Sequence, residues 1–329
     1  GEWISEAEFE EKAPGIGKAA AEDLRLRPDP NTLIRACASY RESLLKGDQQ
    51  ELIDSLTEAG NTPEHAAETI QEVVAFLDPV FLEEKMKREL GSTDPFTLHR
   101  NDFREDAFEA WAPLGMLVHV VPGNAPTVAP LSVVEGLMSG NINVLKNSSK
   151  NGNFPQLVLK GIIDADPSGK LKPFVYAFQL SSRRSDILSV LFNTAHGIAA
   201  WGGEEAVASV RKMSPGSTRI IDWGHRISFS YMSKGMKEDV ASLENIAYDI
   251  CVIEQQACSS PQCLYLETDD REELLDFAHH FAGILDRVSQ TFAQAEMSIP
   301  EMAEITNVTQ VTKLGAALGE SEVIESPEK

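Results

Sequence analysis

Residues 113–149, "PLGMLVHVVPGNAPTVAPLSVVEGLMSGNINVLKNSS", contain the clearest secondary-structure pattern in the chain. A short apolar run is followed by a loop between two prolines, then by apolar residues at helical spacing up to Gly140, and then by a second apolar run. Short apolar runs bounded by turn residues are typical of buried strands. The stretch therefore predicts a strand–helix–strand unit, which joins two parallel strands.

The same alternation continues along the chain to about residue 223. Helical spacing in "NFPQLVLKGIIDA", "RSDILSVLFNTA" and "GEEAVASVRKM" alternates with the strand-like segments "KPFVYAFQL", "GIAAW" and "TRIID". This pattern predicts an α/β fold, a Rossmann-type parallel sheet with helices on both faces. Such sheets bind ligands beyond the carboxyl ends of their strands.

Two further regions flank this α/β segment, residues 111–224. Residues 1–110 are polar, and "TLIRACASYRESLL" and "PEHAAETIQEVVAFL" place apolar residues at helical spacing. Residues 225–329 contain the amphipathic segment "KEDVASLENIAYDICVIE", the strand-like "QCLYLE" and a second helical pattern, "DREELLDFAHHFAGILDRVSQTFAQ". We therefore expect N-terminal helices and a second α/β domain around the central sheet.

Composition excludes several classes of protein. The net charge of −22 argues against a nucleic-acid surface, which needs Lys and Arg to neutralise phosphates. Residues 111–134 carry no charged side chain, but four prolines would interrupt a membrane-spanning helix, so we expect no span. The four cysteines form no CxxC pair, and we see no signal-peptide pattern. No metal site, no disulfide and a cytoplasmic location follow as expectations.

Cys258 is the first candidate for chemistry, because it lies in the polar stretch "EQQACSSPQ". Cys251, by contrast, lies in the apolar run "YDICVIE". A thiolate attacks carbonyl and thioester carbons, and it requires a partly exposed site that lowers its pKa. An ordinary loop cysteine is the simpler interpretation of this stretch on its own.

Asn124 is the second candidate, in the loop "PGNAP" directly after a predicted strand. A rigid loop could aim its amide at a developing oxyanion, where one such donor contributes roughly 3–4 kcal/mol. A structural asparagine in a turn explains the same residues.

Lys146 follows the next predicted strand, in "VLKNSS", with Ser148 and Ser149 behind it. A lysine in this position could bind a ribose hydroxyl or a phosphate, although a solvated surface lysine is the more common case.

The fourth candidate is the stretch "AWGGEEAV", where Trp201 ends a strand and the next two residues, Gly202 and Gly203, open a helix.

Backbone N–H groups at such a helix start can hold a pyrophosphate. The stretch is not GxGxxG, so the usual dinucleotide fingerprint is absent. Glu204 and Glu205 also complement the helix dipole, which is a plain structural explanation.

Taken in order, an asparagine loop, a lysine after the next strand, a Gly-Gly helix start and a later cysteine resemble the aldehyde dehydrogenase superfamily. Within it, the sequence resembles the bacterial fatty acyl-CoA reductases of the LuxC type. The resemblance spans about residues 30–270 and is carried by residues 113–149 and by "AAWGGEEAVASVRK", "RIIDWGHRISFSYM" and "EQQACSSPQCLYLE".

The resemblance implies an aldehyde-dehydrogenase-like fold with a division of roles. Residues 111–224 would be the nucleotide-binding domain, to which residues 1–110 contribute, and residues 225–329 the catalytic domain. Only residues 259–329 follow the candidate cysteine, fewer than the family's catalytic domain usually has, so we expect that domain to lack its C-terminal part.

The resemblance also implies roles for single residues. Cys258 matches the nucleophile, Asn124 the oxyanion-hole amide and Lys146 the lysine at the adenosine ribose. The phosphate-facing helix start matches Trp201, Gly202 and Gly203, with Ser148 as a further cofactor contact. NAD-preferring relatives often have a glutamate where this chain has Ser149, so NADPH is permitted here as well as NADH.

The implied reaction is the NADPH-dependent reduction of a long-chain acyl-CoA, through an acyl-enzyme on Cys258, to the fatty aldehyde. An acyl thioester, a homo-oligomer and an acyl-transferring partner protein are the expected partners. The family's usual "ELGGK"-like segment, with its general-base glutamate, is "DWGHR" here. Asp222 is one methylene shorter than that glutamate, which favours reduction over hydrolysis of the acyl-enzyme.

Three alternatives remain open at this point. An NAD(P)-dependent aldehyde dehydrogenase would use Asp222 as its base. A cysteine acyltransferase or hydrolase without a nicotinamide cofactor would need a histidine paired with Cys258. A non-catalytic interaction protein would keep the fold alone. Candidate proton donors are His119, His196 and His225, and for each a structural role is the simpler interpretation.

Overall fold

The computed structural model describes residues 27–100, 102–104, 106–123, 125–224, 226–252, 255, 258–292 and 299–324, together with Glu8, Glu11, Lys12 and Gly15. The chain forms two compact units, Gly1–Gly224 and His225–Lys329.

Between residues 27 and 100, which the structure describes throughout, four helices precede the sheet. Each of three begins at a proline that follows a side-chain cap, Asp29, Thr62 or Asp78, whose oxygen accepts backbone N–H groups of the first turn. The sequence pattern predicts the first and third helices, and the second and fourth are additional. The helices are α1 (Pro30–Leu45), α2 (Gln50–Glu58), α3 (Pro63–Phe76) and α4 (Pro79–Leu90).

A five-stranded parallel sheet forms the centre of the first unit, with strand order β5-β4-β3-β6-β7. An antiparallel pair of two-residue strands, β1 (His99–Arg100) and β2 (Phe108–Glu109), precedes it. The sheet strands are β3 (Met116–Val120), β4 (Ile142–Asn147), β5 (Val175–Gln179), β6 (Gly197–Trp201) and β7 (Arg219–Trp223).

Helices connect these strands, as the alternating pattern predicts. They are α5 (Val128–Met138), α6 (Phe154–Asp164), α7 (Ser185–Thr194) and α8 (Glu204–Met213). Short 3-10 turns, Ser149–Asn151 and Lys172–Phe174, follow β4 and precede β5. The parallel sheet with its connecting helices confirms the predicted α/β class.

The strand order reverses between β3 and β6. From β3 the chain moves outward through β4 to β5, and then returns to place β6 on the other side of β3. A crevice opens at such a switch point, beyond the carboxyl ends of the strands, and is the usual place for a ligand. The strand β4, between β3 and β5, is buried along its whole length, and its polar residues Asn143, Lys146 and Asn147 are buried with its apolar ones.

The described residues of the second unit form a two-stranded parallel sheet and three helices. Its buried cluster is small: Met232, Leu243, Ala247, Phe277 and Ile284. The strand β8 and the last helix are not indicated by the sequence pattern. The elements are β8 (Ser228–Met232), α9 (Val240–Cys251), β9 (Pro261–Leu266), α10 (Arg271–Ser289) and α11 (Ile299–Ala317).

Across the residues that the structure describes, no helix has the combination of length and apolar character that a membrane crossing requires.

Candidate active site

Three of the four segments predicted to carry site residues lie together at the carboxyl edge of the sheet in the first unit. Val120, at the end of β3, is the register partner of Lys146 on β4 and of Ala200 on β6. The loop after β3, the lysine at the end of β4 and the turn after β6 therefore lie side by side. Asn124, in the first of these loops, lies outside the described residues.

Lys146 is almost enclosed at this edge, with 7% of its surface exposed. Desolvation lowers the pKa of its ammonium group. Within the described part of the chain, neither an ion pair nor a hydrogen bond reaches this group. A buried ammonium with unused donors costs stability unless a ligand supplies acceptors, so the position suits a hydroxyl or phosphate oxygen.

Asn151, which the sequence analysis does not single out, ties the loop after β3 to the end of β4. Its side-chain amide donates to the Pro122 carbonyl at 2.9 Å and to Asn147 Oδ1 at 3.1 Å. Its own Oδ1 is buried without a hydrogen bond among the described residues. The only hint in the sequence is the polar run "NSSKNGN" after β4, which does not indicate which residue turns inward.

The two loops approach each other closely at Gly123. A Cβ at this position would lie 2.7 Å from Ser148 Oγ and 3.0 Å from Lys150 Cβ, so only glycine fits without displacing them. The backbone of Ser149 begins the 3-10 turn Ser149–Asn151. Ser148 thus lies at the predicted edge, against the loop that carries Asn124.

The turn after β6 also depends on glycine. Gly202 has φ +146°, a backbone conformation that side-chain-bearing residues rarely adopt. Gly203 is the N-cap residue of α8 and makes no side-chain cap, which leaves N–H groups of the first turn for another acceptor. Trp201 stacks on Trp223, with ring centroids 4.7 Å apart and planes 8° from parallel.

Cys258 lies in the second unit, in an exposed turn before β9. Its backbone carbonyl accepts a hydrogen bond from Ser228 Oγ at 2.5 Å, which fixes the turn against the start of β8. The other cysteines differ in their surroundings. Burial raises the pKa of Cys37 to about 12 and also raises the pKa of Cys251, whereas Cys263 is exposed like Cys258.

The other predicted groups have structural partners. Asp222 forms an ion pair with Arg211, Nη2 to Oδ2 2.9 Å. His196 Nδ1 accepts the backbone N–H of Met116 at 3.0 Å, and His119 is hydrogen-bonded within the core. His225 lies outside the described residues.

The sequence profile of one protein family, described as "Acyl-CoA reductase (LuxC)", matches residues 31–328. The chain belongs to this family. The resemblance inferred from the four motifs is therefore confirmed.

Curated relatives of the LuxC family are named long-chain acyl-protein thioester reductases. The protein from Aliivibrio fischeri is 28% identical over 204 residues, which are 62% of this chain and 42% of that relative. The protein from Vibrio harveyi is 25% identical over 186 residues, which are 55% of this chain and 39% of that relative. The chain thus aligns with about two fifths of the length of these relatives.

Solved aldehyde dehydrogenases share the fold. A salicylaldehyde dehydrogenase from Pseudomonas putida G7 superposes with a TM-score of 0.62 at 16% identity, covering 83% of this chain and 55% of that one. An NADP-dependent glyceraldehyde-3-phosphate dehydrogenase from Bacillus halodurans gives 0.59 at 12% identity, covering 85% and 57%. The predicted aldehyde-dehydrogenase-like fold is confirmed.

Proposed function

We propose that this chain carries the nucleotide site and the nucleophile of a reductase that converts a long-chain acyl thioester to the fatty aldehyde, with NADPH as reductant. The observation that carries the proposal is the buried Lys146 at the switch-point edge of a LuxC-family chain, whose ammonium group has no partner among the described residues. The names of the curated relatives support an acyl thioester as the substrate class.

Several groups at the sheet edge suit a dinucleotide. Lys146 would donate to the ribose hydroxyls, with Ser148 beside it. The first turn of α8, behind Gly202 and Gly203, would donate N–H groups to the pyrophosphate. Ser149 has no negative charge to repel a 2′-phosphate, so the sequence permits NADPH as well as NADH. When bound, the cofactor supplies the hydride.

Cys258 supplies the covalent step. Its thiolate attacks the thioester carbonyl, an S–C bond forms to the acyl carbon, and the original thiol leaves as a thiolate that takes up a proton. The Asn124 amide and the Cys258 N–H would stabilise the oxyanion. The exposure of Cys258 supports this role, because an acyl donor must reach the sulfur.

The structure disfavours two alternatives. A dehydrogenase would need a free base to activate water, but the carboxylate of Asp222 is engaged by Arg211. A cysteine hydrolase would need a histidine beside its thiol, and in the described residues of the second unit no hydrogen bond joins a histidine to Cys258.

The test is a single-turnover reaction of the chain with a long-chain acyl-CoA and NADPH. We expect NADPH consumption, CoA release and aldehyde formation, all abolished in Cys258→Ala. Cys263→Ala is the matched control, because this second exposed cysteine lies five positions further on and has no assigned role.

Two other outcomes would change the assignment. If CoA is released without NADPH consumption, Cys258 is a nucleophile, but the proposed reduction of the acyl-enzyme by NADPH is wrong. If Cys258→Ala reacts like the unsubstituted chain, the nucleophile is elsewhere.

A further inference from the structure

A buried run of hydrogen-bonded side chains connects the core of the first unit to Trp201. The indole Nε1–H of Trp201 donates to Ser132 Oγ at 3.2 Å, and Ser132 Oγ lies 2.7 Å from His119 Nδ1. His119 Nε2 lies 3.0 Å from Asn143 Oδ1, and Asn143 Nδ2 donates to the Asn141 carbonyl at 2.8 Å. We call these five residues the His119 network.

The donor and the acceptor in each hydrogen bond of the His119 network can be assigned in turn, starting from Asn141. Because the Asn143 amide nitrogen donates to a carbonyl, its Oδ1 is the acceptor that faces His119. The proton of the imidazole is therefore on Nε2, and Nδ1 is an acceptor. Ser132 then donates to Nδ1 and accepts from Trp201, so each of these bonds pairs a donor with an acceptor.

The residues around the network stabilise this single pattern of hydrogen bonds. His119 is 1% exposed, and burial lowers its pKa to about 4, so the neutral imidazole that these directions require is the stable form. Gly136 on α5 leaves room for it, because a Cβ there would lie 1.8 Å from Asn143 Oδ1. A buried, fully paired network of this kind rigidifies what it contacts.

The outer end of the network lies at the proposed nucleotide site. Trp201 is the last residue of β6, directly before Gly202, and its ring is held between Ser132 on one edge and the face of Trp223. The backbone N–H of Gly202 donates to the Trp223 carbonyl at 3.4 Å. The orientation of the Trp201 indole is therefore coupled to the turn that precedes α8.

We propose that Ser132 and His119 are positioning residues for dinucleotide binding: they fix the Trp201 indole against Trp223 and thereby set the conformation of the Gly202–Gly203 turn. This role rests on the proposed nucleotide site. It assigns to two buried polar residues a contribution to cofactor affinity, although neither is a proposed contact of the cofactor.

The test uses Ser132→Ala, which removes the link while leaving Trp201 in place. The stacked indoles give an exciton band in circular dichroism, and Trp223→Phe identifies that band. We expect Ser132→Ala to weaken the band without nucleotide present, and to raise the Kd for NADPH, followed by NADPH fluorescence, about 10-fold, or about 1.4 kcal/mol. Thr69→Val, which removes another buried hydroxyl on a different helix, should change neither.

A second variant keeps the inference testable if Ser132→Ala folds poorly. Trp201→Phe keeps a ring and removes the N–H donor, so it should weaken NADPH binding to a similar extent. The double variant should bind no more weakly than either single variant, because both break the same link. Additive losses in the double variant would overturn the inference.

The remaining outcomes separate the inference from the proposed function. If the unsubstituted chain binds NADPH and Ser132→Ala binds it equally well, the network is only structural and the inference is wrong. A weakened band with an unchanged Kd also overturns it. If the unsubstituted chain binds neither NADPH nor NADH, the proposed nucleotide site fails, and the positioning role fails with it.

Discussion

At the scale of single residues, Lys146 carries an ammonium group into a site where no described anion offsets it. Replacing it with methionine keeps most of the length and removes the charge. We expect Lys146→Met to raise the free energy of unfolding by roughly 1–2 kcal/mol, because an uncompensated buried charge is removed. NADPH binding should weaken at least about 10-fold through loss of the donor to the ribose.

Urea unfolding and NADPH titration measure the two effects of Lys146→Met. The exposed Lys150, four positions further on, provides the matched control, and Lys150→Met should leave both quantities near those of the unsubstituted chain. A Lys146→Met protein that is less stable and binds NADPH normally would mean that the ammonium group has a structural role instead.

Lys146 and Cys258 can be predicted from the sequence because their neighbours in the chain indicate a strand end and a polar turn. The link between Ser132 and Trp201 cannot be predicted in this way, since these residues are 69 positions apart and only the parallel pairing of β3 and β6 brings them together. For the same reason His119 looks isolated in the sequence, although it lies in the middle of a network. The roles of the site residues themselves stay predictions.

At the level of secondary-structure elements, the turn between β6 and α8 contains two adjacent glycines that differ in backbone conformation and in the space around them. Gly202 has φ +146°, and a Cβ there would lie 3.3 Å from Ala206 Cβ, whereas Gly203 has φ −67° and open space around it. We expect Gly202→Ala to lower the free energy of unfolding by about 1–3 kcal/mol. Gly203→Ala, the matched control for backbone strain, should change it by less than about 0.5 kcal/mol.

NADPH binding should also be weaker in Gly202→Ala than in Gly203→Ala. Gly202→Ala alters the turn and so should weaken binding even at urea concentrations where the protein is fully folded. Equal stability of the two variants, measured by urea unfolding, would show that the positive φ of Gly202 is not required by the fold.

The strands that the sequence predicts well are those that are buried along almost their whole length, because burial requires mostly apolar residues. The strands β3 and β6 are buried at four of their five positions, and their runs are apolar except for His119. The strand β8 alternates between exposed and partly buried positions, and its short run "SFSYM" has no such signal. The pair β1 and β2 has two residues in each strand, too few for any periodicity.

At the scale of the whole molecule, the two units differ in how much core they contain. Among the residues that the structure describes, the first unit buries residues from its N-terminal helices and its sheet in one large cluster, whereas the second has five buried residues in its own cluster. Since burial of apolar surface is the main favourable contribution to folding, we expect the second unit to unfold at a lower urea concentration. The sequence alone predicts the segments but not this difference, because burial depends on which helices pack together.

All four tryptophans belong to Gly1–Gly224, so tryptophan emission reports the first unit, while far-ultraviolet circular dichroism reports both. We expect the loss of helical signal to begin before the change in emission. Leu243→Ala removes a fully buried side chain of the second cluster and should cost about 2–5 kcal/mol, shifting only the early transition. Leu145→Ala, equally buried in β4, should shift the emission transition. Coincident transitions, displaced alike by both substitutions, would mean that the chain unfolds as one cooperative body.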